Sequence, residues 1–299
     1  MSRIALIGPL SKDKVIKNDE IHKSTGGSVY YQSSVLKSLK IDSLAIITLS
    51  KGDDKLLDGF EENIEIFPLF KDKTMEFQNI YPTDDPDFRI QKATIPYNPI
   101  KPQDIKNFNL EDVDIILLGP LCPYDIPFET IEYLSKLEIP LYMGVQGYLR
   151  QLKKNRVVLS PWNDFKKFIK LVRVLFMDEN EAKIILDENI SLKETAKILA
   201  SFGPEEVIIT QGSSGALIYS KKSETTYKIP ALTANSVADP TGLGDTFMAA
   251  YSAKKLETED PESCGIFAAA VSVIKLENIG PFKGNRDLIK KRMNSSYPQ

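Results

Sequence analysis

The stretch ADPTGLGDTFMAAY, residues 238–251, decides the fold assignment of this 299-residue chain. Residues 239–241 have the composition of a turn, residues 242–244 are flexible glycine-rich backbone, and from Asp245 onward the sequence predicts a helix. Such a loop directs consecutive backbone amides outward at a helix N-terminus, where the helix dipole adds partial positive charge. The stretch therefore predicts an anion site, best suited to phosphate.

Two familiar phosphate loops do not match this stretch. A Walker A loop has Gly-Lys followed by Ser or Thr, whereas Asp245 and Thr246 follow Gly244 here. A dinucleotide-binding fingerprint has a third glycine where this chain has Phe247, and it normally follows the first strand of its fold, whereas this loop comes late in the chain. The anion site is therefore of another kind.

Asp245 closes the loop and is the residue that suggests chemistry. A carboxylate that faces an anion site is electrostatically costly unless it has a function there. Removing the proton from a hydroxyl that attacks a phosphoryl group is such a function. The local sequence leaves a second interpretation open, in which Asp245 is only an acidic residue favoured by the helix dipole.

Short apolar runs recur along the chain without polar alternation, which is typical of strands buried on both faces. Helical patterns separate several of them, and Ser191 followed by Glu194 is the signature of a capping box. Strands that alternate with helices predict an α/β fold with a mostly parallel central sheet and helices on both faces. The predicted strands are 4–7, 44–49, 115–118, 140–145, 172–176 and 207–210, and the predicted helices are 30–39, 128–137 and 191–202.

Residues 64–97 break this alternation. They hold β-type stretches at 77–81 and 88–93 on either side of the turn TDDPD, and these predict an antiparallel hairpin. Such a hairpin is either a flap over a ligand crevice or an ordinary surface hairpin, and the sequence does not choose between them. We predict one domain over residues 1–299, with a lid contributed mainly by about 64–97.

The composition excludes several classes of chemistry. The one histidine, His22, rules out a histidine-rich zinc site, and a Ser-His-Asp triad would have to use it. Two cysteines, Cys122 and Cys264, form no CxxC pair, which predicts a reduced, cytoplasmic protein. A net charge of −3 argues against a nucleic-acid surface, and no apolar stretch approaches the ~18 residues of a membrane span. An enzyme of this composition must use carboxylates, backbone amides or a lysine.

Five motifs occur together in an order that resembles one family. DPTGLGD (239–245), followed by TFMAAY, is similar to the DTxGAGD signature of the ribokinase-like (PfkB) carbohydrate kinases. IGPLSKD (7–13) resembles the family's first strand with its substrate-binding aspartate, and residues 26–27 resemble its glycine pair. Residues 178–181 and the turn TQGSSG (210–215) resemble its Asn-x-x-Glu motif and its nucleotide-binding TxGxxG turn. The resemblance spans the whole chain and implies a ribokinase-like fold.

The resemblance also implies an activity, the transfer of the ATP γ-phosphoryl group to a hydroxyl of a sugar, an inositol-like polyol or a nucleoside. Asp245 would be the general base, and the amides of residues 242–244 would form an anion hole for the transferred group. Glu181 would organise Mg²⁺ through water, since Mg²⁺ keeps several waters in nucleotide sites. Many members use a monovalent cation, so a role for K⁺ is left open. The implied nucleotide-binding residues are Glu181, Thr210, Gly212, Gly215 and Thr241.

The acceptor side is predicted from residues that follow strands, where open parallel sheets place their ligands. The Asp13 carboxylate can accept hydrogen bonds from two neighbouring hydroxyls, which suits a sugar or polyol. An exposed loop position is the alternative. Gly26 and Gly27 would let the backbone approach the ligand, or simply form a turn. Gln146 and Arg150 follow the fourth predicted strand and either reach the acceptor or have surface or structural roles.

Two other functional classes remain open. A non-catalytic sugar or nucleotide sensor on the same fold is disfavoured by the intact Gly-Leu-Gly-Asp sequence. A dinucleotide-dependent oxidoreductase is disfavoured because no GxGxxG follows the first strand. For partners, we expect a small-molecule substrate, no nucleic acid and no membrane, and a chain that is a monomer or a homodimer.

Overall fold

The computed structural model describes residues 2–17, 20–60, 64–81, 90–186 and 189–296. Strands and helices alternate over most of these residues, as the sequence predicts. The strands are β1 (Arg3–Pro9), β2 (Ser11–Lys17), β3 (Glu20–Gly26), β4 (Asp42–Ser50), β5 (Ile64–Lys71), β6 (Met75–Tyr81), β7 (Ile90–Thr94), β8 (Ile115–Leu118), β9 (Leu141–Gly144), β10 (Arg150–Lys153), β11 (Arg156–Leu159), β12 (Val174–Asp178), β13 (Glu206–Thr210), β14 (Ala216–Ser220) and β15 (Thr225–Ile229). The α-helices are α1 (Ser28–Ser38), α2 (Pro102–Ile105), α3 (Phe128–Ser135), α4 (Gln146–Leu149), α5 (Phe165–Ile169), α6 (Glu179–Ile185), α7 (Leu192–Ser201), α8 (Leu243–Lys255), α9 (Pro261–Leu276) and α10 (Arg286–Ser296).

The larger of the two sheets has nine strands among the described residues, in the order β15-β14-β13-β12-β9-β8-β1-β4-β5. From β13 to β5, neighbouring strands run parallel. β14 and β15 are added antiparallel at one edge. All six apolar runs predicted to be buried strands lie in this central sheet. The predicted α/β class, with a mostly parallel sheet, is therefore confirmed.

Helices cover both faces of the central sheet because successive strand residues point to opposite faces. Ile4 and Leu6 of β1 pack in the layer that contains α1, α8 and α9. Ala5 and Ile7 pack in the opposite layer, with α3, α5, α6 and α7. The two faces of one strand thus belong to two separate apolar layers, which explains its uninterrupted apolar sequence.

The predicted helices correspond to α1, α3 and α7, with boundaries that differ by one or two residues. At the start of α7, the Ser191 hydroxyl accepts a hydrogen bond from the Glu194 amide at 3.3 Å, which is the capping contact that the sequence predicts. Over the residues that the structure describes, no helix combines the length and apolar character needed to cross a bilayer.

The smaller sheet has six strands within the described ranges, in the order β10-β11-β7-β6-β2-β3. β6 and β7 form the antiparallel hairpin predicted at 77–81 and 88–93. The turn of this hairpin, with Phe88, lies outside the described residues. A small apolar cluster joins the smaller sheet to the segment after β8, and its buried members are Met75, Phe77, Ala93, Leu121 and Cys122.

The smaller sheet differs from the predicted lid in its strands. Residues 64–71 form β5 and pair with β4 in the central sheet, so segment 64–97 supplies only β6 and β7 to the smaller sheet. The other strands, β2–β3 and β10–β11, were not predicted. β2 (SKDKVIK) and β3 (EIHKSTG) are rich in charged and polar residues. They therefore lack the apolar runs by which buried strands are recognised.

Candidate active site

The carboxyl ends of the parallel strands lie along one edge of the central sheet, where this class of fold places its ligands. β1 ends at Pro9, β9 at Gly144, β12 at Asp178 and β13 at Thr210. Most of the acceptor and nucleotide residues predicted from the sequence follow these strand ends. They are Asp13, Gln146, Arg150, Glu181, Gly212 and Gly215.

The loop before α8 has the geometry of an anion site. Gly242 is the N-cap of the 13-residue helix α8 and has left-handed backbone, with φ 74°. A Cβ atom there would lie 2.3 Å from the ring of Tyr31, so both conformation and packing require glycine. Gly244 is exposed in the first turn, and among the described residues nothing lies within 4 Å of the place where its Cβ would be. The positive end of α8 is therefore open to a ligand.

α8 begins at Leu243, so the predicted start at Asp245 is corrected by two residues. The Leu243 amide makes a long hydrogen bond, 3.4 Å, to the Pro240 carbonyl, and is thus partly engaged within the loop. The Thr241 amide donates to Oδ1 of Asp239 at 2.9 Å. The Thr241 side chain also hydrogen-bonds this carboxylate. Thr241, which the sequence predicts to bind nucleotide, therefore contacts Asp239 and shapes the loop.

Asp245 lies in the first turn of α8 with a half-buried side chain. Loss of contact with water raises the pKa of its carboxyl to about 6, although a hydrogen bond from Ser28 and the charge of Arg150 lower it. Such a group is mostly ionised at neutral pH and still basic enough to accept a proton. Ser28 begins α1 directly after the glycine pair. Its contact with Asp245 was not predicted, because the two residues are far apart in the chain.

Arg150 connects the parts of the site. It is 7% exposed at the start of β10, and its guanidinium lies 5.2 Å from the ring centre of Phe77 in the smaller sheet. Of the two residues predicted after β9, Arg150 is thus buried, whereas Gln146 is half-buried at the first position of α4. The charge of Arg150 lowers the pKa of three surrounding carboxyls, those of Asp125, Glu181 and Asp245.

Glu181 and Asp178 cap the start of α6 reciprocally. The Glu181 amide donates to Asp178 Oδ1 at 2.8 Å, and the Asp178 amide donates to Glu181 Oε2 at 2.9 Å. Burial, and then the charge of Asp178, raise the pKa of the Glu181 carboxyl. The cap uses one oxygen of each carboxylate. Across the described ranges, no group of three or more His, Cys, Asp or Glu side chains is arranged to hold a metal ion.

Asp13 lies in β2 and is 7% exposed, which excludes the exposed-loop interpretation. The Ser11 hydroxyl donates to its Oδ1 atom at 2.7 Å. A Cβ atom on Gly26 would lie 2.2 Å from its Oδ2 atom. Gly27 is the N-cap of α1 with φ 108°, and a Cβ atom there would lie 2.6 Å from the Pro9 carbonyl oxygen. The glycine pair is therefore required by the packing of Asp13 and by the backbone.

The predicted nucleotide-binding turn follows β13. Gly212 and Gly215 both have positive φ, 53° and 92°. A Cβ atom on Gly215 would lie 2.0 Å from the Ile229 carbonyl oxygen, so the turn needs glycine there. Thr210 ends β13, and its hydroxyl donates to the Met177 carbonyl at 3.4 Å. These residues form a tight glycine turn, as the sequence predicts.

A cavity of about 510 Å³ lies beside this turn. It is lined by residues 230–233, which directly follow β15, and by Arg292 and Ser295 of α10. Two of its lining residues adjoin the turn, since a Cβ atom on Gly215 would lie 2.9 Å from the carbonyl carbon of Pro230 and 2.7 Å from the amide nitrogen of Ala231. The segment between β15 and the loop before α8 (residues 238–244, the anion loop) thus lines this cavity.

Two buried side chains beneath the anion loop were not predicted from the sequence. Tyr31 is 4% exposed, and burial, followed by the charges of Asp239, Asp13 and Asp245, raises the pKa of its hydroxyl. Lys275 is fully buried near the end of α9, and its Nζ atom donates to the Asp239 carbonyl oxygen at 2.6 Å. A lysine in a helix that otherwise holds mostly small and apolar residues is the signal that could have identified it.

Comparison with known proteins assigns the chain to a family. Residues 135–286, just over half of the chain, match the model of the pfkB family of carbohydrate kinases. The chain belongs to this family. The matched part contains Arg150, Glu181, the turn at 210–215 and the loop at 238–245. The resemblance inferred from the motifs is therefore confirmed.

Relatives of this pfkB family chain include a nucleoside kinase of Methanocaldococcus jannaschii, 36% identical over 76 residues, which are 25% of this chain and 24% of that protein. The chain thus spans about a quarter of the length of the curated nucleoside kinases that it matches. Two solved structures share the fold. One is a pyrophosphate-dependent kinase of the ribokinase family with a pyrophosphate analog and myo-inositol (TM-score 0.82, 22% identity, 96% of this chain and 99% of that one). The other is Arabidopsis thaliana ribokinase with ribose and ATP (TM-score 0.75, 17% identity, 98% and 99% covered). The fold is ribokinase-like.

Proposed function

We propose that this chain transfers the γ-phosphoryl group of ATP to a hydroxyl of a sugar, an inositol-like polyol or a nucleoside. The observation that carries this function is the place of Asp245, a half-buried carboxylate in the first turn of α8, beside the open glycine loop. A base next to an anion site is the pair of groups that phosphoryl transfer to an alcohol requires. Membership of a carbohydrate kinase family supports the same reaction.

In the proposed reaction, Asp245 accepts the proton of the attacking hydroxyl. The acceptor oxygen forms a bond to the γ-phosphorus, and the bond from that phosphorus to the β,γ-bridging oxygen breaks, so ADP leaves with the electron pair. The hydrogen bond from Ser28 orients the Asp245 carboxylate and favours its ionised form. A pKa of about 6 lets Asp245 be ionised at neutral pH before the transfer.

The amides of Gly242, Leu243 and Gly244 stabilise the charge on the transferred group. They lie at the positive end of α8, and each preorganised donor of this kind contributes about 3 kcal/mol to the transition state. The Leu243 amide contributes when it exchanges its long bond to Pro240 for a phosphate oxygen. Arg150, surrounded by three carboxyls, adds a cation on the acceptor side of the loop.

Mg²⁺ would be held by the phosphates of the donor and, through water, by Glu181. A site with one protein carboxylate fits Mg²⁺, which keeps most of its waters in nucleotide sites. When bound, Mg²⁺ would neutralise charge on the phosphates. Glu181 suits this role because its reciprocal cap with Asp178 holds the side chain in one place and uses only one of its oxygens.

The acceptor would bind between the central and the smaller sheet, with the smaller sheet as the lid of a single domain. Asp13 on β2, Phe77 on β6 and Arg150 on β10 all belong to the smaller sheet. Asp13 would accept hydrogen bonds from two adjacent hydroxyls of the acceptor. Gly26 and Gly27 would let the backbone approach the acceptor, and the Gln146 side chain would reach it as well. The nucleoside kinase relative supports a nucleoside as the acceptor. The two structures that share the fold were solved with myo-inositol and with ribose, and these support a polyol or a sugar.

The donor's phosphates would lie between the anion loop and the turn formed by Thr210, Gly212 and Gly215, with Thr241 supporting the loop. The cavity beside Gly215 is the place we assign to the nucleoside part of ATP. Arabidopsis thaliana ribokinase, which shares the fold, was solved with ATP, and this supports ATP as the donor. The pyrophosphate-dependent kinase that shares the fold was solved with a pyrophosphate analog, so pyrophosphate is the second donor to assay. We also propose a cytoplasmic monomer or homodimer that binds neither nucleic acid nor membrane.

The deciding experiment measures product formation with ATP or pyrophosphate and a panel of pentoses, hexoses, inositols and nucleosides. We expect one acceptor class to yield ADP and a phosphorylated product. Asp245→Asn should retain nucleotide binding and lose turnover by about three orders of magnitude. Near-normal turnover of this variant would refute the mechanism. A wild-type protein that binds ligands but forms no product would instead be the sensor.

A further inference from the structure

Lys275 is a fully buried lysine that the proposed reaction does not use directly. Burying an ammonium group is costly unless it is paired and hydrogen-bonded. Its Nζ atom lies 2.6 Å from the carbonyl oxygen of Asp239 and 3.1 Å from the Oδ2 atom of the same residue. The buried charge is therefore directed at the first residue of the DPTGLGD loop.

Asp239 fixes the start of that loop. Its Oδ1 atom accepts from the Thr241 amide at 2.9 Å, and its Oδ2 atom accepts from the Gly280 amide at 3.1 Å. The amides of Ala238 and Asp239 donate to the Leu276 carbonyl at 2.9 and 3.2 Å. The loop is thereby tied to the carboxyl end of α9. Displacing Asp239 would displace the amides that follow it.

This junction concentrates negative charge. The carboxyl end of α9 carries the negative end of a helix dipole, and the Asp239 carboxylate and carbonyl converge on the same place. Burial lowers the pKa of Lys275, and Asp239 opposes that effect. Burial would raise the pKa of Asp239, but Lys275 and Thr241 hold it below its ordinary value. Carboxylate and carbonyl oxygens are also the ligands that bind alkali cations, and here they already bind an ammonium.

We propose that Lys275 is a positioning residue, a built-in cation that holds residues 238–242 in the phosphate-binding conformation and makes phosphate binding independent of added K⁺. The sequence leaves a role for K⁺ open. The oxygens of Asp239 that would bind it are occupied by the Lys275 ammonium. The consequence for turnover rests on the proposed function, whereas the consequence for phosphate binding does not.

The first test uses the wild-type protein. Binding of pyrophosphate is measured by calorimetry in potassium, sodium and choline chloride at equal ionic strength, and turnover is measured in the same three salts. We expect the same affinity and the same rate in all of them. A preference for K⁺ of about fivefold or more in either measurement would overturn the proposal, with no variant needed.

The second test removes the ammonium. Lys275→Ala should lose about tenfold or more in pyrophosphate affinity in choline chloride, and K⁺ or propylammonium should restore part of it. Lys275→Met, which fills the space with an uncharged chain, should show the loss without the rescue. Unchanged affinity of Lys275→Ala in choline, or a loss that no cation restores, would contradict the inference.

Lys255→Ala is the matched control. Lys255 is also buried and ion-paired, 2.9 Å from Glu206, but it lies at the opposite end of α8 from the loop. Lys255→Ala should lower the melting temperature, but its affinity for pyrophosphate should be the same in all three salts. If the wild type binds pyrophosphate equally in all salts yet never turns over, the proposed function fails and this inference stands. If turnover is normal but prefers K⁺, only this inference fails.

Discussion

A Cβ atom on Gly26 would lie 2.2 Å from the Oδ2 atom of Asp13, a distance at which one of the two groups must move. Asp13 is buried in β2, with its Oδ1 atom bound to the Ser11 hydroxyl at 2.7 Å. The carboxylate therefore sits directly on the glycine of the neighbouring strand. The position of the Asp13 carboxylate, and with it the proposed acceptor site, depends on the absence of a side chain at residue 26.

Gly26→Ala should displace the Asp13 carboxylate and weaken the binding of the acceptor more than the binding of the donor. We expect KM for the acceptor to rise about 10- to 100-fold, the cost of losing one or two hydrogen bonds to a charged group, while KM for ATP changes little. Steady-state kinetics with each substrate varied in turn measures this difference. Gly52→Ala is the control, since a Cβ atom there meets its nearest neighbour, the Ser50 hydroxyl, at 3.9 Å. Equal changes in both KM values would contradict the assignment of Asp13.

The two glycines of the anion loop should respond differently to alanine. Gly242→Ala combines a left-handed backbone with a clash against Tyr31, so it should lower the free energy of unfolding by about 2 kcal/mol or more. Gly244→Ala meets nothing within 4 Å in the described structure and adds a good helix former, so stability should hold or rise slightly. Its methyl group should nevertheless obstruct the phosphates and weaken pyrophosphate binding. Urea unfolding and calorimetry separate the two effects. Full pyrophosphate affinity in Gly244→Ala would place the phosphates elsewhere.

The pH dependence of turnover should report Asp245. Its pKa is raised to about 6, so kcat/KM should fall as the pH drops through that value and the base becomes protonated. A kcat/KM for the acceptor that stays flat well below this range, measured with the donor in excess, would assign the base to another group.

Asp245 should also destabilise the folded protein at neutral pH. Its pKa is about 6 when folded against an ordinary value of 3.8, so the folded state binds the proton more tightly and gains stability as the pH falls between these values. Asp245→Asn removes this cost and should raise the free energy of unfolding at pH 7 by up to about 3 kcal/mol. Urea titrations should show the gain shrinking toward pH 4. If Asp245→Asn is less stable than the wild type at pH 7, the ionised Asp245 carboxylate does not destabilise the folded protein.

Arg150 should control the acid limb of the same pH profile. Its charge lowers the pKa of Asp245, so Arg150→Met should move the limb to higher pH and reduce kcat/KM at pH 7. Arg150→Lys keeps the charge but not the planar guanidinium, so it should leave the limb near its wild-type position and lose only part of the rate. The two profiles, recorded side by side, test the charge separately from the geometry. An unshifted limb in Arg150→Met would show that its charge does not reach the base.

Much of the fold was predictable because its strands are buried on both faces. The run IALI at 4–7 is apolar without alternation since its residues enter two different apolar layers. β2 and β3 escaped prediction because they form part of a half-exposed sheet, in which lysines and serines are tolerated at many positions. The predicted start of α8 lies two residues after the observed one. The reason is that Gly242, a type of residue that normally indicates a loop, is the N-cap of the helix.

The sequence by itself determined the α/β class, the glycine loop and the carboxylate in the first turn of the helix that follows it, because each depends on local features: apolar runs of strand length, glycines before a helix, and an acidic residue at its start. Only the tertiary structure decided which side chains support them. Ser28 reaches Asp245, Arg150 faces three carboxyls, and Lys275 holds Asp239. These pairings join residues far apart in the chain. They follow from how helices and strands pack against one another, and no local pattern encodes that.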